Sequence, residues 1–267
     1  YANRINKGII NIDGKEISLP TNNFGHTLHG GPAGWQYQVY DAELVNDSTL
    51  KLTMNSKDGD MNFPGNVNAI VTYTITDDNA LDIKYQATTD QTTVINMTNH
   101  SYFNLSGKHD QEATDHVLYI ASDVFTPAND ILIPTGEFAP VEGTPMDFRT
   151  PKPIGRDIHE KYDALIFQNG YDHNFEVFCN PCATLCDPES GRTMVVITDR
   201  PGIQFYSGNF FDGTTSGKYG RTLNYRESLA LETQKYPDTP NQPHFPSTLL
   251  NPGENYTHVC IYKFAVK

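Results

Sequence analysis

Basic residues are scarce in this chain: Lys and Arg number 19 against 32 Asp and Glu among 267 residues, leaving a formal net charge of −13. A protein with that balance and a pI near 5.0 has no basic face for nucleic acid or an anionic membrane surface, which excludes both as expected partners. Long apolar runs are missing too. None approaches the ~20 residues of a membrane-spanning helix, and the N-terminus lacks the basic, apolar, small-residue order of a signal peptide. A cytoplasmic protein is the expectation. Sustained helical periodicity, an internal repeat and a low-complexity linker are all lacking, which favours one large domain. Only four cysteines occur, Cys179, Cys182, Cys186 and the distant Cys260. The spaced trio lacks a fourth ligand and a second paired motif, so reduced thiols rather than a metal site are expected.

What the chain does have is period-two alternation. Leu81, Ile83, Tyr85 and Ala87 alternate with Asp82, Lys84, Gln86 and Thr88, and Val67, Ala69, Val71, Tyr73 and Ile75 line the preceding run. With Asp77-Asp78-Asn79 as the turn, these runs predict a hairpin. Shorter runs of this kind lie at residues 8–13, 36–44, 49–54, 116–125, 192–198 and 256–266. The pattern predicts an all-β chain with very little helix, a large antiparallel sandwich or barrel. The one helical candidate is a turn at 154–161. Stretches 126–143 and 236–246, rich in Pro and Gly, read as long loops, which on a β scaffold often carry function. Sequons at Asn46, Asn96, Asn99, Asn104 and Asn255 read as chance matches.

Two segments put polar groups into apolar, strand-like surroundings. Thr98-Asn99-His100-Ser101-Tyr102-Phe103-Asn104-Leu105 contains one histidine, and Leu229-Ala230-Leu231-Glu232-Thr233-Gln234 contains one carboxylate. A histidine and a glutamate suffice for acid-base chemistry without a metal or other cofactor.

These segments, with Ala2-Asn3-Arg4-Ile5, Leu28-His29-Gly30-Gly31, Gly170-Tyr171-Asp172-His173-Asn174-Phe175 and Gln204-Phe205-Tyr206-Ser207-Gly208-Asn209, resemble the aldose 1-epimerases, or galactose mutarotases. The resemblance runs almost from end to end. It implies the galactose mutarotase-like supersandwich, a large antiparallel β-sandwich, and a single domain over residues 1–267 that lacks the strands the family carries before its Asn-Arg motif. It further implies a cofactor-free interconversion of the α and β anomers of galactose or glucose, a small-molecule aldose as partner, and a monomer or weak dimer.

The resemblance makes Glu232 the base that removes the C1 hydroxyl proton and His100 the acid that protonates the ring oxygen. Tyr102, two residues beyond His100, would project to the same side of a strand and wall the sugar. Asn3, Arg4 and His29 match hydroxyl-binding positions, His29 near the ring oxygen, while Asp172 and Gln204 match positions that grip the remaining hydroxyls. Read without the resemblance, Arg4 is a surface ion-pair residue, His29 a turn histidine and Asp172 an Asx-turn residue. His173 alternates to the opposite side and is structural. Among the aromatics near the motifs, Trp35, Phe63, Phe205, Phe210 and Tyr236, one or two are expected to stack on the sugar.

Rival readings are a hexose-6-phosphate 1-epimerase, which would need an arginine cluster where only seven scattered arginines occur, and a glycoside hydrolase with Asp172 and Glu232 as its carboxylate pair. A third is a catalytically silent carbohydrate-binding module on the same fold.

Overall fold

A pattern that repeats every second residue buries one face of a pleated strand and no face of a helix, and the chain folds accordingly. The computed structural model describes residues 1–108 and 111–267. They form two compact units: Tyr1–Thr98, Thr198–Pro201 and Gln234–Tyr262 in the first, and Asn99–Ile197, Gly202–Thr233 and Lys263–Lys267 in the second.

In the first unit the strands Asp41–Asn46, Thr49–Ser56, Val67–Ile75 and Ala80–Thr89 pair in sequence order as an antiparallel meander. The expected hairpin is present, with Val71 opposite Tyr85 and Ala69 opposite Ala87, all four buried. Asn79 closes its turn with a φ of 61°, a left-handed backbone that asparagine tolerates better than most residues. A separate apolar cluster joins Ile5, Ile10, Ile12, Leu19 and Val94.

The second unit holds a six-stranded antiparallel sheet in the order Tyr102–Phe103, Leu229–Gln234, Gly202–Tyr206, Asp172–Glu176, Val124–Thr126, Ala139–Pro140. Register sets its two faces. Asp172 pairs with Tyr206, His173 with Phe205, Asn174 with Gln204 and Phe175 with Ile203. Paired residues share a side and neighbours alternate, so His173, Phe175, Ile203 and Phe205 face one way and Asp172, Asn174, Gln204 and Tyr206 the other. The first face is core: the Phe148 ring meets Tyr171, Phe175 and Phe205 at centroid distances of 5.1, 6.3 and 5.7 Å, all edge-on. Each such pair adds about 0.5–1.5 kcal/mol beyond area burial. The apolar face fixes the sheet, which leaves the opposite face available for polar side chains.

Several local expectations need correction. Residues 154–161 give only a 3-10 turn, Ile154–Arg156, and the one α-helix among the described residues is Asp163–Gln168. It is too short for a periodic signal, and it ends where Asn169 turns left-handed at φ 55°. Run 36–44 begins as the 3-10 turn Trp35–Tyr37 and becomes strand only at Asp41; run 116–125 splits into Val117–Ile120 and Val124–Thr126, which belong to different sheets. The stretch 236–246 is a loop as expected, interrupted only by the 3-10 turn Thr239–Asn241, but it packs inward, with Tyr236, Asp238, Thr239 and Phe245 buried. The cysteines are free thiols, with Cys182 and Cys260 buried and Cys179 exposed.

Candidate active site

His100 lies outside any strand, yet strand pairing places it. Tyr102 pairs with Ala230 and Phe103 with Leu229. Extending that antiparallel register two residues past the last bonded pair sets His100 opposite Glu232, on the same side as Tyr102 and Ala230. The side chains obey it: His100 Nε2 is 3.4 Å from Glu232 Oε1, the carboxylate side chain 2% exposed and the imidazole 31%. A charge that deep is tolerated only with close polar company. The imidazole is thus open on one side and against the carboxylate on the other.

Rings frame the pair. Tyr102 lies 4.9 Å from the His100 ring, and Tyr206 meets His100 and Tyr102 edge-on at 6.4 and 6.2 Å. Tyr206 was not among the sequence candidates; Phe205 was. The register inverts that choice, because Phe205 points into the core at 0% exposure, whereas Tyr206 shares the face of Gln204. An i, i+2 step from Gln204 carries the signal. Tyr206 Oη accepts from the Phe210 amide at 2.9 Å, and the Phe210 ring stacks on it at 6.2 Å. Tyr236 is core, packed on Phe245. Although Tyr102 is 43% exposed, burial around its phenol, with Tyr206, Glu232 and Asp172 nearby, holds it well above the usual tyrosine pKa.

On the same face Gln204 Nε2 donates to Asp172 Oδ1 at 2.7 Å. Asp172 is a strand residue rather than an Asx-turn residue, half-buried, beside a Gln204 only 3% exposed. His173 points the other way, as expected. Its Nδ1 accepts from the Asp172 amide at 3.0 Å, so Nε2 carries the hydrogen, and burial drives its pKa down to about 3. The His100 loop is held from behind by Asn104, whose Nδ2 donates to the carbonyls of Glu227 and Gln111 at 2.7 and 3.0 Å.

Asn3, Arg4 and His29 come together in the first unit. Arg4–Ile5 pairs with Thr27–Leu28, and both Asn3 and His29 adopt left-handed backbones, φ 58° and 50°. Asn3 spends its Oδ1 on the Arg4 amide at 2.8 Å. Its own amide donates to His29 Nδ1 at 3.2 Å, which assigns the neutral-ring hydrogen of His29 to Nε2. Arg4 is 6% exposed and donates from Nε to Asn23 Oδ1 at 3.1 Å. It is no surface ion-pair residue.

Sequence and fold comparisons identify the family and the fold. The profile of the aldose 1-epimerase family matches residues 1–263. The galactose mutarotase of Sus scrofa is 42% identical over 99% of this chain and 77% of its own length, and the aldose 1-epimerase of Escherichia coli K12 is 36% identical over 99% and 78%. The crystal structure of an aldose epimerase homologue from C. elegans superposes with a TM-score of 0.90 at 31% identity, covering 99% of this chain and 80% of that one. A galactose 1-epimerase structure from Lactobacillus acidophilus gives 0.89 at 27% identity, covering 99% and 77%. With relatives this similar along nearly its whole length, the chain belongs to the aldose 1-epimerase family.

Proposed function

We propose that this chain, folded as one aldose 1-epimerase domain, interconverts the α and β anomers of free hexoses such as galactose and glucose. Glu232 takes the proton from the C1 hydroxyl and His100 delivers one to the ring oxygen. The C1–O5 bond then breaks, the open aldehyde rotates about C1–C2, and the reverse transfers close the ring on its other face. No redox step is involved and the protons balance over a cycle. The observation that carries this reading is the meeting of His100 Nε2 with a nearly buried Glu232 carboxylate at 3.4 Å.

The supporting groups suit a polyol, whose hydroxyls each donate and accept. Asp172, oriented by Gln204 at 2.7 Å, offers an acceptor pair for adjacent hydroxyls. Tyr102 and Tyr206 offer ring faces to the apolar side of a pyranose. Arg4, oriented by Asn23, and the Nε2–H of His29 supply further donors, and Asn3 shapes the turn that presents them.

The test is NMR saturation transfer or polarimetry on freshly dissolved α-D-galactose and α-D-glucose, with hexose 6-phosphates and an aryl glycoside alongside. Faster anomer exchange of the free sugars supports the reading. Exchange confined to the phosphorylated sugars, release of reducing sugar from the glycoside, or binding without exchange each contradicts it.

A further inference from the structure

Asn96 has no role among the groups assigned above, is 0% exposed, and sits in the sequon Asn96-Met97-Thr98. That burial closes it to glycosylation in the folded chain. Its side chain is committed elsewhere: Oδ1 accepts from the Lys235 amide at 3.0 Å and Nδ2 donates to the Lys235 carbonyl at 2.9 Å. One primary amide thus satisfies both backbone groups of a single residue, as a peptide in an adjacent strand would. The Asn96 carbonyl in turn accepts from the Ala2 amide at 2.6 Å. Lys235 follows Glu232 by three residues, His100 follows Asn96 by four, and Ala2 immediately precedes Asn3 and Arg4. A single buried residue touches every stretch that carries the proposed acid, base and arginine.

The backbone around Asn96 is fixed by side chains and by a bond that continues the short antiparallel pairing of Thr93–Val94 with Leu249–Leu250. Ile95 donates its amide to the Thr248 carbonyl at 2.8 Å, and Met97 donates its amide to Tyr256 Oη at 3.0 Å. The Met97 carbonyl lies 3.0 Å from His258 Nδ1. A carbonyl only accepts, so that nitrogen carries the hydrogen. His258 is fully buried, and its ring stacks on Tyr85 at 4.6 Å. The segment leading to His100 is therefore braced, and Asn96 is its tie to the segment leading away from Glu232.

We propose that Asn96 is a positioning residue for anomer exchange: its amide holds the His100 and Glu232 stretches in register, and the inference rests on the acid-base reading of that pair. A reacting group displaced by about 1 Å typically costs on the order of a hundredfold in rate. Asn96→Ala should lower kcat about tenfold to a hundredfold with KM largely kept. Asn96→Asp gives a sharper reading. Ionised, it sets a carboxylate oxygen against the Lys235 carbonyl where an N–H had been; protonated, it restores one donor and one acceptor.

The experiment measures kcat and KM of wild type, Asn96→Ala, Asn96→Asp and Glu232→Gln by saturation transfer, each normalised to folded protein, from about pH 8 to about pH 5.5, across the range where a buried carboxyl gains its proton. The expected result is an Asn96→Asp to wild-type kcat ratio that climbs as pH falls. A folded Asn96→Ala variant with wild-type kcat, or a ratio flat with pH, overturns the proposal; where the alanine variant does not fold, the aspartate series decides. Wild type without exchange, or Glu232→Gln with full exchange, sinks the acid-base reading and this proposal with it. Wild type active, Glu232→Gln impaired and Asn96 variants unaffected sinks this proposal alone.

Discussion

Glu232→Gln separates charge from shape at the centre of the site. The side chain is 2% exposed and touches the His100 ring at 3.4 Å, so an amide of nearly the same volume keeps the slot filled and removes only the basicity. A positioned base or acid contributes about 10² to 10⁴ in rate, equivalent to about 3–5.5 kcal/mol of barrier. The variant should therefore lose roughly 10²- to 10⁴-fold in kcat. Its thermal midpoint should stay close to wild type, because replacing a buried charge relieves a desolvation cost even as it gives up the partner. His100→Asn should cost a similar factor. The double variant should fall well short of the product of the two losses, since groups acting on one proton path behave as a unit. The assay is NMR saturation transfer between anomeric protons, which reads exchange directly and excludes hydrolysis. Refutation would take the form of a Glu232→Gln enzyme with near wild-type kcat, or singles whose losses multiply in the double. A His100→Asn enzyme at near wild-type rate would pass the acid role to His29.

Asp172→Ala should weaken galactose binding more than Glu232→Gln does, because it removes hydroxyl acceptors and strips Gln204 of the partner it holds at 2.7 Å; calorimetry giving equal Kd values for both variants would contradict the assignment. Activity should withstand EDTA, since the chemistry needs only proton transfers; loss of exchange reversed by added zinc would contradict that. Stability should decline on acidification from about pH 6.5 toward pH 3, because burial holds His173 and His258 neutral with pKa values near 3, while the unfolded chain protonates its histidines near 6.5. Depressed folded-state values stabilise above the unfolded pKa and lose that contribution as protons bind. A flat thermal midpoint over this window would show that neither ring is neutral by burial.

The alternating runs made the strands legible. Residues 192–198 and 256–266 fold as the strands Arg192–Thr198 and Tyr256–Val266 that the pattern marks, and Asp77-Asp78-Asn79 turns the hairpin between Ile75 and Ala80. Runs without a clean break misled. Within 116–125, Ser122 donates its hydroxyl to the Val124 carbonyl at 2.6 Å and bends the chain between two sheets, a local hydrogen bond with no periodic signature. The one α-helix among the described residues was invisible for a related reason: the 6 residues Asp163–Gln168 bury Ala164, Leu165 and Gln168, and a window that short carries no period.

At the candidate site, the residues worth weighing were legible and the geometry that joins them was not. His100 and Glu232 stood out as lone titratable groups in apolar runs, yet the reason they meet is a two-residue strand pairing, Tyr102 with Ala230 and Phe103 with Leu229, that propensity alone could not fix. The same limit explains the exchange of Phe205 for Tyr206. Side-chain direction in a strand alternates absolutely, so once Gln204 is known to face Asp172, Phe205 must face the core and Tyr206 the site. The registers of two strand pairs therefore determine the polar face, and residues such as Asn96 that brace the intervening irregular backbone matter to the chemistry without resembling chemistry in the sequence.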